Sequence, residues 1–450
     1  MSFVKDIIGL DIGTSSIKGI RISENGEKRG SGKETFAYRR GKDGQIEIDA
    51  ETYITACCRL LRRLAAAADG TIAAVCAASA SGNLLILDGQ GQPVMPILNW
   101  QDTRVGGEAK EILQGIDAEE IYEAVGWPFD YQTFPLAQLC YLKYHSPEIL
   151  EKCGKICMST EYLYWRLSGA WGISNSAGTP FYLLDQRTGR YNRKLLDILE
   201  IEERKLPPVG KAGEVIGSVT EAGAALSGLP EGTPLILGTF DHPSAARGAG
   251  VLKEGQMLLS CGTSWVGFYP VKDRETAIRC QLLVDPFRSP EGCWGAMASV
   301  PSISRHIEYY IKRYITDGDY MFEQFADQAA RSDSEAGGLT IDLFDRPADE
   351  EIRQYPKKHI ARAIMEGAVR LLNEKIKRLA QQGICAREAV MVGGPSECPL
   401  WLEVISEMTG LAVRAAQGAY TGAVGAAITA AVAIGLYEDE VTAYEGLREK

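Results

Sequence analysis

Two short stretches constrain this chain more than anything else in it: "LDIGTSS" at residues 10–16 and "LSCGTSW" at residues 259–265. In each, an apolar run breaks at a Gly-Thr-Ser turn and resumes as a second apolar run, "IKGIRIS" after the first and "WVGFYP" after the second. Short β-runs on either side of a tight turn read as a hairpin. Two hairpins of one design, well separated in a chain of 450 residues, predict two related domains facing one cleft. Length alone points the same way, because a single core stops growing well below this size.

The surrounding pattern is α/β. "DIIGLDIG", "TIAAVCAAS" and "LLILD" read as strands, and "AETYITACCRLLRRLAAAA" has helical apolar spacing, so the opening third alternates strand and helix around a partly parallel sheet. From about Glu108 to Leu206 the pattern is mostly helical, and the prolines and glycines of "LPPVGKAGEVIGSV" mark a connection. In the second half a long helix is expected over 358–383 with Gly383 as its stop, then a buried strand ending in Gly393-Gly394, then a final helix at "AVGAAITAAVAIG". The expected division is residues 1–246 and 247–450.

Net charge is −11 with no basic run, which leaves no electrostatic footprint for nucleic acid. The eleven cysteines show no CxxC pair and no accompanying His cluster, so they read as reduced thiols packing as small hydrophobes. No basic-then-apolar leader and no apolar window long enough to span a membrane is present, so no membrane partner is expected and the expected location is cytoplasmic. A homodimer is kept as an open expectation.

Gly13, Thr14 and Ser15 can offer N–H and hydroxyl donors to phosphate oxygens, and Asp11 beside them can hold Mg²⁺. The plainer reading, an ordinary turn with local side-chain bonds, weighs equally at this point. Neither G-x-x-x-x-G-K-[ST] nor a strand-led G-x-G-x-x-G occurs, so a nucleotide here would be held by hairpins. A strand ends near Gly238 and presents Asp241-His242 at its tip. A carboxylate there can take the proton of an attacking hydroxyl, or it can cap the helix that Pro243 helps to start. His242 has no partner His nearby, so contact with a substrate is preferred over metal ligation.

The order of "GLDIGTSSIKG", "NWQDTR", "GTFDHPSAARGAGV", "LLSCGTSWVGF", "IMEGAVRLLN" and "VMVGGPSECPLW" resembles the FGGY family of carbohydrate kinases across nearly the whole chain. The resemblance implies an α/β fold of two actin-like (ribonuclease H-like) ATPase domains flanking a catalytic cleft, and ATP-dependent phosphorylation of a ketose or polyol with Mg²⁺. It implies Asp241 as general base, Asp11 at the metal, Thr14 and Ser15 with Gly13 in the first phosphate hairpin, and Gly262 and Thr263 in the second. Gly393 and Gly394 would lie against adenosine, and Trp100, Asp102 and Arg104 on the sugar side, with Asp102 bonding sugar hydroxyls. The plainer readings are core packing for Trp100 and an interdomain ion pair for Arg104.

Some positions depart from the family pattern. Gln138 stands where a lysine is frequent, and Ser81-Gly82-Asn83 where xylulokinase-like members carry Met-His, which counts against xylulose and makes Asn83 a candidate hydroxyl partner. His242 replaces the usual Gln or Asn, and the loop after "GGL" is short, which thins the expected adenine side. The alternative function is a nucleotide-dependent interaction module or regulator of the actin-like superfamily. A base aimed at a small hydroxyl is what such a module would not need, and Asp241, Asp102 and Asn83 favour the kinase.

Overall fold

The computed structural model describes residues 4–66, 71–105, 107–129, 131–288, 292–345 and 349–448. The apolar run of Lys5–Ile12 (β1) is almost wholly buried and turns back through 13–15 into Ser16–Ser23 (β2), which pairs antiparallel with it; Lys28–Thr35 (β3) continues the meander. The chain then forms the amphipathic helix Ala50–Ala66 (α1) and returns as Thr71–Ser79 (β4), parallel to β1. Residues 67–70, the end of the expected helix, lie outside the described residues. After a stretch that mixes short helices with short strands, less helical than expected, come Val215–Ser218 (β5) and Pro234–Phe240 (β6), the latter parallel to β4 and running straight into the helix Asp241–Gly248 (α2). The sheet order is β5-β6-β4-β1-β2-β3.

The second sheet repeats this plan. Gly255–Cys261 (β7), Trp265–Val271 (β8) and Trp294–Val300 (β9) form an antiparallel meander. The helix Lys357–Gln381 (α3) leads to Ala386–Val392 (β10), parallel to β7, and the helix Pro399–Thr409 (α4) leads to Ala412–Ala415 (β11), parallel to β10. Gly383 follows α3 at φ 95, the left-handed conformation in which glycine stops a helix.

The chain divides into two units. One holds Met1–Leu252, Leu283–Phe287 and Gln417–Lys450; the other holds Lys253–Leu282 and Arg288–Ala416. This differs from the expected single cut after residue 246, because Thr421–Ala433 (α5) and Glu440–Leu447 (α6) belong to the first unit. The reason is an apolar face that needs covering. One face of the first sheet packs on α1 and on Tyr162, Leu163 and Tyr164; the other presents Ile7, Ile20, Ile22, Cys76 and Ile236, and α5 and α6 bury it. Because α5 is rich in Ala and Gly it lies very close: a Cβ on Gly9 would fall 1.9 Å from Ala423 O, and one on Gly425 1.8 Å from Ser244 O.

Seven of the cysteines, among them Cys57, Cys76 and Cys157, are buried, and all eleven are free. Among the described residues no helix is long and apolar enough to cross a membrane.

Candidate active site

The strand register of the first unit brings chain-distant residues to one sheet edge. Ile12 is paired with Ser79, and Ser79 with Phe240, so three consecutive strands end in a row. The hairpin turn 13–15 leaves the first strand end, Ala80–Asn83 the second, and Asp241 the third. Ligands of open α/β sheets gather at the carboxyl ends of parallel strands.

Asp11 and Asp241 are the two acids of this edge. Burial, the charge of Asp241 and, in the opposite sense, Lys18 across the β1–β2 ladder set the Asp11 carboxyl, which is pushed up to about 7. Burial likewise raises Asp241, while the neighbouring His242 pulls it down. Asp241 is the first residue of α2 and accepts from the His242 N–H at 2.7 Å; the N-cap position is Phe240 and no side chain caps the helix, so the expected capping role of Asp241 is corrected. The first turn of α5 lies against Asp11: a Cβ on Gly422 would sit 2.5 Å from its Oδ2. Lys18, the cation opposite Asp11, reaches Ala419 O at 3.5 Å.

Among the described residues no group of three or more His, Cys, Asp or Glu could form a metal cage. Mg²⁺ binds through one or two carboxylates, with phosphates and water completing its shell. A carboxyl held up near 7 by burial and by a second acid is a group that a cation relieves, so Asp11 fits that demand.

The two hairpin tips are alike. Gly13 N donates to Ser16 O at 2.9 Å and Gly262 N to Ser264 O at 3.2 Å, while the N–H groups of Thr14 and Thr263 donate to nothing within the described chain. The exposed edge of Ser15 and the polar turn at 262–264 therefore keep donors available, the arrangement from which anion-binding concavities are made. In the second unit Gly393 (φ 98) abuts the hairpin end, since a Cβ there would meet Cys261 O at 2.4 Å. Gly394 has open space where a Cβ would be, so its neighbours do not require glycine.

The remaining candidates surround Asp241's unit differently from expectation. Asn83 is buried, donates to Ser159 Oγ at 3.3 Å and accepts from the Trp100 N–H at 3.3 Å. Trp100 is half-buried rather than core: its indole N–H donates to Thr14 Oγ1 at 3.4 Å and its ring stacks on Phe134 at 5.7 Å. Asp102 is 1 % exposed and its oxygens are taken by the Ile46 N–H (2.9 Å) and by Arg104 (2.8 Å). Asp102 is thus held by a backbone N–H and an ion pair, and Arg104, which also meets Glu47, makes its ion pairs inside one unit.

Sequence reasoning missed an aromatic group beside these residues. Trp127 meets Phe134 (5.9 Å), Tyr182 (6.2 Å) and Phe240 (5.2 Å), and Phe240 also lies 5.7 Å from the His242 ring. Phe134 (φ 68) and Tyr182 (φ 62) hold left-handed backbones, which non-glycine residues adopt at a cost. No periodicity signals such residues. Asp285 and Ser176 were missed as well, although an acid inside the apolar run "LLVDPF" was a usable signal.

The family model of the FGGY carbohydrate kinases, N-terminal domain, matches residues 7–248, and that of the C-terminal domain matches 257–434. The chain is 26 % identical to an autoinducer-2 kinase of Klebsiella pneumoniae, covering 98 % of this chain and 88 % of the relative. It is 27 % identical to an L-xylulose/3-keto-L-gulonate kinase of Escherichia coli, covering 98 % and 91 %. The crystal structure of xylulose kinase from Rhodospirillum rubrum shares the fold with a TM-score of 0.87 at 22 % identity, over 97 % of this chain and 92 % of that one. With two hydroxyl-tipped hairpins, a repeated sheet plan and both family domains matched in order, the chain belongs to the FGGY family and is a carbohydrate kinase.

Proposed function

We propose that the protein transfers the γ-phosphoryl group of ATP to a hydroxyl of a small ketose-type sugar or polyol, with Asp241 as the general base. The observation that carries this reading is the placement of Asp241 and Asp11 at the ends of β6 and β1, the two strands that flank β4, where burial raises both carboxyls. A base works best when its pKa lies near the working pH, and a carboxylate raised by burial moves in that direction.

In this reading Asp241 accepts the proton of the acceptor hydroxyl as that oxygen attacks the phosphorus in line, and no covalent enzyme intermediate is needed. Thr14 and Ser15 hold phosphate oxygens with their N–H and hydroxyl groups, and Gly262 and Thr263 do so in the second unit. Gly393 and Gly394 leave room for the adenosine. Asp11 would hold Mg²⁺, which when bound would supply positive charge to the phosphates. His242, Trp100 and Asn83 border the acceptor together with Asp102, whose carboxylate is held in place by Arg104 and the Ile46 N–H. A ketose is preferred because two relatives carry the names of autoinducer-2 kinase and L-xylulose/3-keto-L-gulonate kinase. The interaction-module alternative is not carried further, since both matched domains are those of carbohydrate kinases.

The test is ADP release with MgATP across L-xylulose, D-xylulose, 3-keto-L-gulonate, gluconate and glycerol, for wild type and Asp241→Asn. Acceptor-dependent release that falls by about 10²–10⁴-fold in the variant supports the reading, that being the usual worth of general-base catalysis. Release unchanged in Asp241→Asn removes Asp241 as the base.

A further inference from the structure

We propose that Asp285 is a positioning residue for Asp241, acting through Ser176 and the backbone of Phe240; this rests on the reading of Asp241 as the base. Asp285 Oδ2 accepts from the Ser176 hydroxyl at 2.7 Å, and Ser176 Oγ accepts from the Phe240 N–H at 3.2 Å. Phe240 directly precedes Asp241, at the point where β6 becomes α2. Two side chains thus reach from other segments to fix the peptide that aims the Asp241 carboxylate.

Stability alone is a poor account of Asp285. It is 0 % exposed, and its Oδ1 has no hydrogen-bond partner in the described chain. A buried carboxyl with a bare oxygen is costly, and an apolar residue of similar size would pack there at less cost. Burial and the charge of Asp241 push its carboxyl up to about 6, against the Ser176 hydrogen bond and Arg247.

The strand segment that carries Asp285 is fastened on both flanks of Asp241. Trp127 Nε1 and Gln186 Nε2 donate to Val284 O at 3.0 and 2.9 Å, and the Trp127 ring packs edge-on against Phe240, the residue before Asp241. Arg247, on the helix after Asp241, donates to Phe287 O at 2.7 Å and lays its guanidinium over the Phe287 ring at 4.4 Å. In sequence, Leu283–Phe287 is an excursion into the first unit between two segments of the second.

The experiment compares full-length Ser176→Ala, Asp285→Ala, Asp285→Asn and Asp241→Asn by steady-state kinetics with MgATP and the fastest acceptor of the panel, and by crystal structures. Ser176→Ala and Asp285→Ala are expected to turn the 240–241 peptide and lower kcat by about 10–100-fold with KM for MgATP unchanged, since small misplacements of a reacting group cost that much. Asp285→Asn, whose amide oxygen still accepts from Ser176, is expected to keep near wild-type kcat. An unmoved Asp241 in Ser176→Ala overturns the inference whatever acceptor is used, and should Asp285→Ala not fold, Ser176→Ala decides. A lowered Tm with unchanged kcat, or equal losses in the Asn and Ala variants, also overturns it. Activity retained in Asp241→Asn sinks the base reading instead, which separates the two failures.

Discussion

At the residue scale, the site depends on carboxyls that the fold holds out of water. Asp11 is the clearest: its carboxyl stands at about 7 against an ordinary 3.8. Between those values the native state binds a proton that the unfolded chain has released, so stability falls as pH rises from about 4 to 7. The contribution is intact below the unfolded value and lost above the folded one. Asp11→Asn removes the ionising group, so its Tm at pH 8 without Mg²⁺ should exceed wild type by several degrees, at roughly 2–4 °C for each kcal/mol in a domain of this size. At pH 4 the two melts should coincide. A wild-type advantage at pH 8 would mean that Lys18 outweighs burial and Asp241. Asp102 differs: its carboxylate accepts from a backbone N–H and from a neighbouring arginine, which residue type alone does not reveal.

At the element scale, α5 is the feature on which the first unit turns. Its residues Ala423, Ala427, Ile428, Ala430 and Ala431 are buried against β1 and its neighbours, and its glycines permit backbone contact with α2. Gly425→Ala places a methyl where Ser244 O already sits, and backbone cannot yield as a flexible side chain does. The expected cost is about 1–3 kcal/mol or more, read as a lowered Tm. Gly394→Ala is the control: its Cβ meets open space, so the stability should stay within about 0.5 kcal/mol of wild type and the Tm should barely move. If Gly394→Ala nevertheless weakens MgATP binding, its glycine serves the ligand rather than the fold.

At the scale of the whole molecule, the first unit is assembled from three stretches of chain. A chain shortened to residue 416 loses α5 and α6 and bares Ile7, Ile20, Ile22 and Ile236. Exposed apolar faces of this kind drive aggregation, so the shortened chain should sediment as aggregate, and a soluble, cooperatively melting product would show that the face can be covered otherwise.

What the sequence determined by itself was local. The hairpins at 13–15 and 262–264, the stop at Gly383 and the doubled α/β plan follow from apolar periodicity and turn chemistry over a few residues. The strand-to-helix junction at Asp241 was legible because a strand, an acid and a proline stand together. Only the tertiary structure decided that the last helix closes the first unit, that Asp102 pairs with Arg104, and that Ser176 and Asp285, 109 residues apart, meet behind Phe240. Those outcomes depend on which apolar face lacks a cover and which buried polar atoms lack a partner. Both are sums over contacts between distant segments, and no short window of residues contains them.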